Sequence, residues 1–393
     1  MKRSSPAAAC LALLTLLSGC VSAPSPANDS ELVFAWARDA NEKDSDFLAV
    51  IETSPTSPAF GQIIATAPVG TTGTRSHHTE HEMAPGGMLF ANGFGAGRTW
   101  VFDVRSPRNP KVAAEVGAAR YRHPHSFERL PNGHVLATFQ MADHANELPG
   151  GLAEIDDAGG IIRESQPAEV TGQFVRPYSL AVVPGLDRVV STSADMHSKG
   201  VARTVQIWRL SDLKLLHSVV LPQGPRGKEG DDPAEARVLA DGTTVMVSTF
   251  NCGLYRLSGI DGDAPAARLV HDFGGGTCSL PVVSGKYWVM TDTGLPGLVA
   301  LDLTDPDRPR VASRLSLGEG REPHWISLRP DGKRIVVSSG LSPALESKML
   351  FATIDRKGRL ALEPREIDFD RAAWPHGETG PAIPHGAVFA RGD

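Results

Sequence analysis

HWISLRPDGKRIVVSS, residues 324–339, decides the fold. It reads as one polar residue, an apolar run, a Pro-Asp-Gly break and a second β-prone run closing in Ser. Asp-Gly supplies the positive φ of a tight hairpin turn, so the stretch predicts two paired strands. The same phrase recurs as HSFERLPNGHVLAT from His125, YSLAVVPGLDRVVST from Tyr178 and EARVLADGTTVMVST from Glu235. Weaker copies are HTEHEMAPGGMLFAN from His78 and CSLPVVSGKYWVMTD from Cys278, and the C-terminus cuts short a seventh, HGAVFARGD, from His385. Successive copies start 43 to 61 residues apart, close to the period of propeller blades. Further strand pairs lie between copies, such as RTWVFDVRSPRNPKVAAEV from Arg98 and GLVALDLTDPDRPRVASRL from Gly297. Four strands per unit, repeated radially, predict an all-β fold, a β-propeller of seven blades. The half-repeat at His385 is expected to close the ring beside residues 31 to 55. Trp100, Trp208, Trp288 and Trp325 fall in strand runs, where packing between blades is their expected role.

The innermost strand of each blade begins beside the central channel, so residues at one repeat position converge although far apart in sequence. Here those positions hold His78, His125, Tyr178, Glu235, Cys278, His324 and His385. Neutral imidazole is the commonest ligand of Zn, Cu, Fe and Ni, so this set predicts a metal site. The metal candidates are His77, His78, His125, His324 and His385. Glu80 and His81 stand close enough in sequence to orient a ligand or move a proton. Glu235 and Tyr178 are the candidates for proton transfer. Cys252 and Cys278 leave three alternatives open: a disulfide, two free thiols, or Cys278 as a soft metal ligand. There is no Gly-x-Ser-x-Gly elbow and no phosphate loop, and GFGAG at residues 93–97 follows no βαβ pattern and reads as a turn.

Met1-Lys2-Arg3, an apolar run from Ala7 to Leu17 and then Leu17-Ser18-Gly19-Cys20 are the three zones of a secretory signal peptide. Leu-Ser-Gly-Cys resembles the bacterial lipobox, which implies cleavage before Cys20 and lipid on its thiol. Val21 is not the aspartate of inner-membrane retention, so a lipid-anchored protein of the outer membrane facing the periplasm is expected. The expected organisation is a signal peptide over 1–19, a flexible Ser- and Pro-rich tether over 20–30 and one propeller domain over 31–393. The chain has 393 residues and a formal charge of −6 with both signs interspersed, and this argues against a nucleic-acid partner.

With these motifs in place, the chain resembles the selenium-binding protein / methanethiol oxidase family. The resemblance runs from DFLAVIETSPTSPAFGQII at Asp46 through the His77-His78 pair, WVFDVRSPRNPKV, PHSFERLPNG, YSLAVVPGLDRVVST and LDLTDPDRPRV to GPAIPHG at Gly380. It implies a β-propeller and, in the methanethiol oxidase members, copper and conversion of methanethiol to formaldehyde, hydrogen sulfide and hydrogen peroxide. His77, His78, His125 and His385 match histidines of the family's motifs, and Tyr178 and Glu235 match its repeat positions. Four positions depart: Glu128 replaces a histidine, Cys278 an aspartate, His324 a glutamine and Gly386 a glutamate. The cysteine linked to selenium has no counterpart. The expectation is a metal-dependent, copper-using oxidoreductase acting on a small sulfur compound. The alternatives are a non-catalytic propeller lipoprotein that binds a protein or ligand at the cell envelope, and a lactonase, for which the axis is too rich in imidazole.

Overall fold

Each repeat folds as the inner hairpin of an antiparallel sheet in the computed structural model, which describes residue 1 and residues 31–116, 120–143, 148–166, 175–196, 200–340, 342–377 and 380–391. Seven such sheets make a seven-bladed β-propeller. The expected signal peptide and tether, Cys20 included, lie outside the described residues. The inner hairpins are Ser76–Thr79 with Met88–Gly93, Arg122–Arg129 with Val135–Met141, Leu180–Val183 with Arg188–Ser191, Pro233–Val238 with Val245–Thr249, Pro281–Ser284 with Tyr287–Asp292, and Pro323–Leu328 with Arg334–Gly340. Two outer strands complete each blade, and the sixth carries a further short strand at Ile367–Asp368. Among the described residues one short α-helix, Pro343–Glu346, interrupts the strands.

The turns take the conformation that their residues demand. Gly133 of Asn-Gly and Gly242 of Asp-Gly sit at φ 89° and 73°, a region open to glycine at little cost. The Asp241 carboxylate accepts from the amides of Thr243 and Thr244 and ties that turn to its own side chain.

The seventh blade closes the ring from both ends of the chain. Its inner strand is Ala382–Phe389, paired with Leu32–Asp39, and Phe47–Glu52 and Ile63–Pro68 follow outward. The half-repeat at His385 therefore closes the ring as expected. Trp325 on the sixth blade donates its indole hydrogen to the Ala387 carbonyl at 2.9 Å, and Trp36 donates to the Asn92 carbonyl of the first blade at 2.7 Å. Arg334 joins Glu31 to Glu363, so the start of the described chain is fixed to the sixth blade. Trp36, Trp100, Trp208, Trp288 and Trp325 are all fully buried in apolar clusters, most of which span neighbouring blades.

Of the three states left open for the cysteines, the structure shows the disulfide, Cys252 to Cys278. It staples the end of the fourth blade's inner hairpin to the entry of the fifth blade, and both residues are fully buried. Cys278 is therefore withdrawn from the set of free channel ligands. The bridge closes a loop with a sequence separation of 26 residues, for which unfolded-chain entropy alone gives about 3.5 kcal/mol. Replacing both cysteines by serine should lower unfolding stability by about that amount, read as a lower denaturant midpoint, while the fold measured by circular dichroism is kept.

Candidate metal centre

Three of the inner strands break their ladder at the histidines. His77 and His78 together face the single residue Asn92, because pairing jumps from Ser76–Gly93 to Thr79–Ala91. His125 and Ser126 face Thr138 in the same way, and His385 and Gly386 face Trp36. Each is a β-bulge, which re-aims a side chain that regular alternation would send elsewhere. His324 lies in a regular ladder and Glu235 lies beside a fourth irregularity.

The bulges are held by polar residues of the next strand. Asn92 accepts from the His78 amide and donates to the His125 carbonyl at 3.0 Å, crossing from the first blade to the second. Thr138 accepts from the Ser126 amide at 2.9 Å and donates to the Tyr178 carbonyl at 2.7 Å, crossing from the second blade to the third. Gly386 is needed for closure: a Cβ there would lie 2.5 Å from the Thr79 amide nitrogen and 2.9 Å from the His77 carbonyl oxygen.

Five imidazoles meet on the axis. His77 is central, with Nε2 3.0 Å from His125 Nε2 and its ring 4.1 Å from those of both His78 and His385. Donor atoms of His77, His324 and His385 lie within 4.8 Å of one another, and so do those of His77, His78 and His125. All five expected metal candidates are thus brought together, and His77 is common to both groups of three. The sequence reading gave His77 no such precedence over His78.

The hydrogen bonds fix one tautomer and leave three ring nitrogens without a partner. His125 Nδ1 lies 2.9 Å from the Tyr178 carbonyl, which can only accept, so Nδ1 carries the proton and Nε2 the lone pair. His78 Nδ1 lies 3.3 Å from the Ser126 hydroxyl, and His78 Nε2 has no partner. His324 Nδ1 and His385 Nδ1 are also buried without partners. A spacing of 3.0 Å is that of an N–H···N hydrogen bond, and also of two nitrogens about 2.0–2.1 Å from one metal ion at close to a right angle. The donor set fits an imidazole-bound transition metal.

Burial holds every one of these rings below the usual histidine pKa, and neighbouring imidazoles add to the effect in His77, His78 and His385. His125 is lowered to about 3 and His324 to about 4. The rings stay neutral at physiological pH, the form that binds metal.

A second polar group borders the imidazoles. Tyr178 is fully buried, its ring is 3.7 Å from that of His125, and its hydroxyl has no partner. Burial and the Glu235 charge hold that hydroxyl well above the usual tyrosine pKa. Glu235 Oε2 accepts from Ser179 at 2.6 Å and from Arg237 at 2.7 Å, while Oε1 has no partner and burial raises its pKa. Sequence reasoning missed Arg237, which sits two residues after the repeat position and shows no motif of its own. Glu128, also on the second blade's inner strand, is pushed up to about 7 by burial, against the pull of Arg237. Glu80 takes no part with the imidazoles: its carboxylate accepts two hydrogen bonds from Arg129, each 2.9 Å, so the role considered for it is not met.

No protein-family model matches the chain. Among curated proteins it is similar to the methanethiol oxidase of Hyphomicrobium sp, 23% identical over 361 residues that span 83% of this chain and 80% of that protein. It is similar also to the methanethiol oxidase of Homo sapiens, 21% identical over 465 residues that span 91% and 92%. Among solved structures, a hypothetical selenium-binding protein from Sulfolobus tokodaii superposes with a TM-score of 0.74 at 16% identity, over 92% of this chain and 94% of that one. A periplasmic gluconolactonase from Pseudomonas aeruginosa gives 0.66 at 14% identity, over 92% and 99%. At such identities the structural likenesses show the fold. The resemblance read from the motifs is borne out, at low identity and over most of the chain.

Depressed histidine pKa values have a definite sign in stability. Above pH 6.5 both folded and unfolded imidazoles are neutral and nothing changes. As the pH falls below 6.5 the unfolded chain gains protons that the folded chain does not take, until about pH 4 for His324. Each such ring then removes up to about 1.4 kcal/mol of stability per pH unit. Denaturant unfolding of metal-free protein should show stability falling from pH 7 to pH 5. His324→Gln should lose about 2 kcal/mol less over that interval.

Proposed function

We propose that this chain is a metal-dependent oxidoreductase of the methanethiol oxidase type, with copper held by the channel imidazoles and a small thiol as substrate. The observation that carries the reading is the convergence of five neutral histidines around His77, three of which, His78, His324 and His385, have a buried nitrogen without a partner. The low-identity likeness to methanethiol oxidases over most of the chain supports it. His77, His78, His125, His324 and His385 are the proposed ligands. Copper bound there would supply a Lewis acid and a redox centre.

The residues of the chain would bind and deprotonate the thiol. Methanethiol, dioxygen and water balance to formaldehyde, hydrogen sulfide and hydrogen peroxide, so dioxygen is the oxidant that the stoichiometry requires. Glu235 Oε1 is an acceptor without a partner, and burial raises its basicity toward the range useful for taking a proton. Tyr178 stays protonated and is the donor of the pair. The Tyr178 carbonyl fixes the His125 tautomer, so one residue serves both the ligand set and the proton path. The bulged inner strands keep these groups within the channel, beside packed blades that limit the entry of water.

We place the site in the cell envelope, a reading supported by the lipobox-like Leu17-Ser18-Gly19-Cys20, which would carry lipid on Cys20. An oxidising envelope suits both the disulfide and copper.

Metal analysis of purified protein, joined to a hydrogen peroxide assay with methanethiol under air, tests the reading. Copper and thiol-dependent peroxide are the expected result. His77→Ala, which breaks both groups of three, should remove the metal and cut peroxide formation at least about 100-fold. Glu235→Gln should keep the metal and slow turnover by about 100-fold or more. A protein that binds no metal and forms no peroxide is a ligand-binding propeller instead.

A further inference from the structure

Arg237 reaches two groups on the channel wall. Its Nη1 donates to Glu235 at 2.7 Å, and its Nη2 lies 2.9 Å from His81 Nε2. A guanidinium has only donors. His81 Nε2 must therefore present its lone pair, and the ring's proton sits on Nδ1. That Nδ1 is buried and has no partner. The ring stacks on Trp325 at 4.7 Å with an interplanar angle of 3°, and the half-turn that this stack allows would take Nε2 away from Arg237. His81 is thus a preset hydrogen-bond donor with nothing to donate to. At the other end of Arg237, Glu235 Oε1 is an acceptor in the same condition, on a residue that is fully buried. Two buried polar atoms left unpaired are unfavourable, and a ligand that satisfies both would relieve that.

The neighbourhood sets the chemistry of such a ligand. Arg237 and the His81 donor disfavour a cation. Glu235 and Glu128, both within the electrostatic reach of Arg237, disfavour a second anion. What remains is a neutral molecule with one acidic hydrogen and lone pairs on the same atom. The imidazoles adjoin it, with the His78 ring 6.5 Å from that of His81 and 6.2 Å from that of Tyr178.

We infer that His81, Arg237 and Glu235 form a subsite for the S–H or O–H group of a small thiol or alcohol. The hydrogen points to Glu235 Oε1 and the heteroatom accepts from His81 Nδ1–H. Transfer of that proton to Glu235 leaves a carboxylic acid and a thiolate or alkoxide, which His81 continues to stabilise, with no change in oxidation state. Arg237 is the positioning residue: it fixes the His81 tautomer and orients the carboxylate. The choice of a thiol over an alcohol rests on the proposed oxidoreductase reading, but the subsite itself does not.

The test is binding of ethanethiol and of dimethyl sulfide, its isomer without an S–H, to the purified full chain reduced beforehand with ascorbate and kept without oxygen, so that neither dioxygen nor an oxidised metal consumes the thiol. Ethanethiol should bind at least about tenfold more tightly than dimethyl sulfide, and His81→Phe, which keeps the stack on Trp325, should erase that preference. Nitrogen-15 imidazole spectra should show His81 protonated at Nδ1, and Arg237→Met should release it to a mixture of tautomers. Equal binding of the two sulfur compounds, a preference that survives His81→Phe, or an Nε2-protonated His81 would overturn the inference. Thiol preference in a chain that makes no peroxide leaves the subsite standing and removes the oxidase reading. Peroxide formation with no thiol preference does the reverse.

Discussion

The structure depends on one recurring hydrogen-bond pattern between blades. The polar residue that ends the second strand of a repeat reaches the inner strand of the following blade: Asn92 to the His125 carbonyl, Thr138 to the Tyr178 carbonyl, Thr192 to the Ala234 carbonyl and Ser338 to the His385 carbonyl. In three of the four cases the same side chain also accepts an amide from its own inner strand. Buried amides and carbonyls must be paired, and a bulge leaves some without a ladder partner. A short side chain with both a donor and an acceptor solves two problems at once, since it satisfies the bulge and registers one blade against the next. Without it, irregular backbone at the axis would carry a desolvation penalty that nearby packing could not offset.

That pattern explains how imidazoles come to be crowded on an axis. Five neutral rings gain little from one another, and their burial is unfavourable to any proton they might take up. They are held by backbone geometry rather than by attraction, with the bulges at His77, His125 and His385 each braced from the adjoining strand. The apolar clusters between blades, centred on buried tryptophans, supply the stabilisation that permits such a channel. Trp325 joins the two layers: it packs in that core, donates to the Ala387 carbonyl and carries the His81 ring on its face.

Much of this was legible in the sequence, for physical reasons. The turn residues announce themselves, because Asn-Gly and Asp-Gly are required where φ is positive, and their spacing gives the blade count. The closing Ser or Thr of each repeat was visible as a pattern, but its bridging role needs a partner strand that no local reading supplies. The bulges were invisible, because one inserted residue in a ladder leaves no mark on composition. For that reason the repeat alignment put His78 at the axis position and not the central His77, and Glu80, which is two residues from His78, was considered near the imidazoles when Arg129 in fact engages it. Arg237 was missed because its significance lies in two contacts, one of them 156 residues away in the chain. The cysteine pair was readable only as alternatives, because sequence separation says nothing of approach across a blade junction.

Two of the four departures from the resembling family's pattern fall on the channel donors themselves. Where that pattern has an aspartate at the position of Cys278, this chain commits the residue to a disulfide, and where it has a glutamine it places His324. Over all four departures two carboxylates and an imidazole give way to one of each, so the count of carboxylates falls by one, and the five imidazoles that meet at the axis are uncharged donors. The carboxylates near the channel, Glu235 and the Glu128 that stands in place of a histidine, interact with Arg237. A cation held by neutral rings in a buried site keeps its full charge, and at short range that charge is compensated most effectively by an anion that arrives with the ligand. A thiol that gives up its proton to Glu235 beside the imidazoles becomes such an anion. On the proposed reading the neutral imidazoles and the adjoining Arg237–Glu235 pair would make complementary demands: a bound cation calls for negative charge at the axis, and Glu235 would provide the means of generating it there.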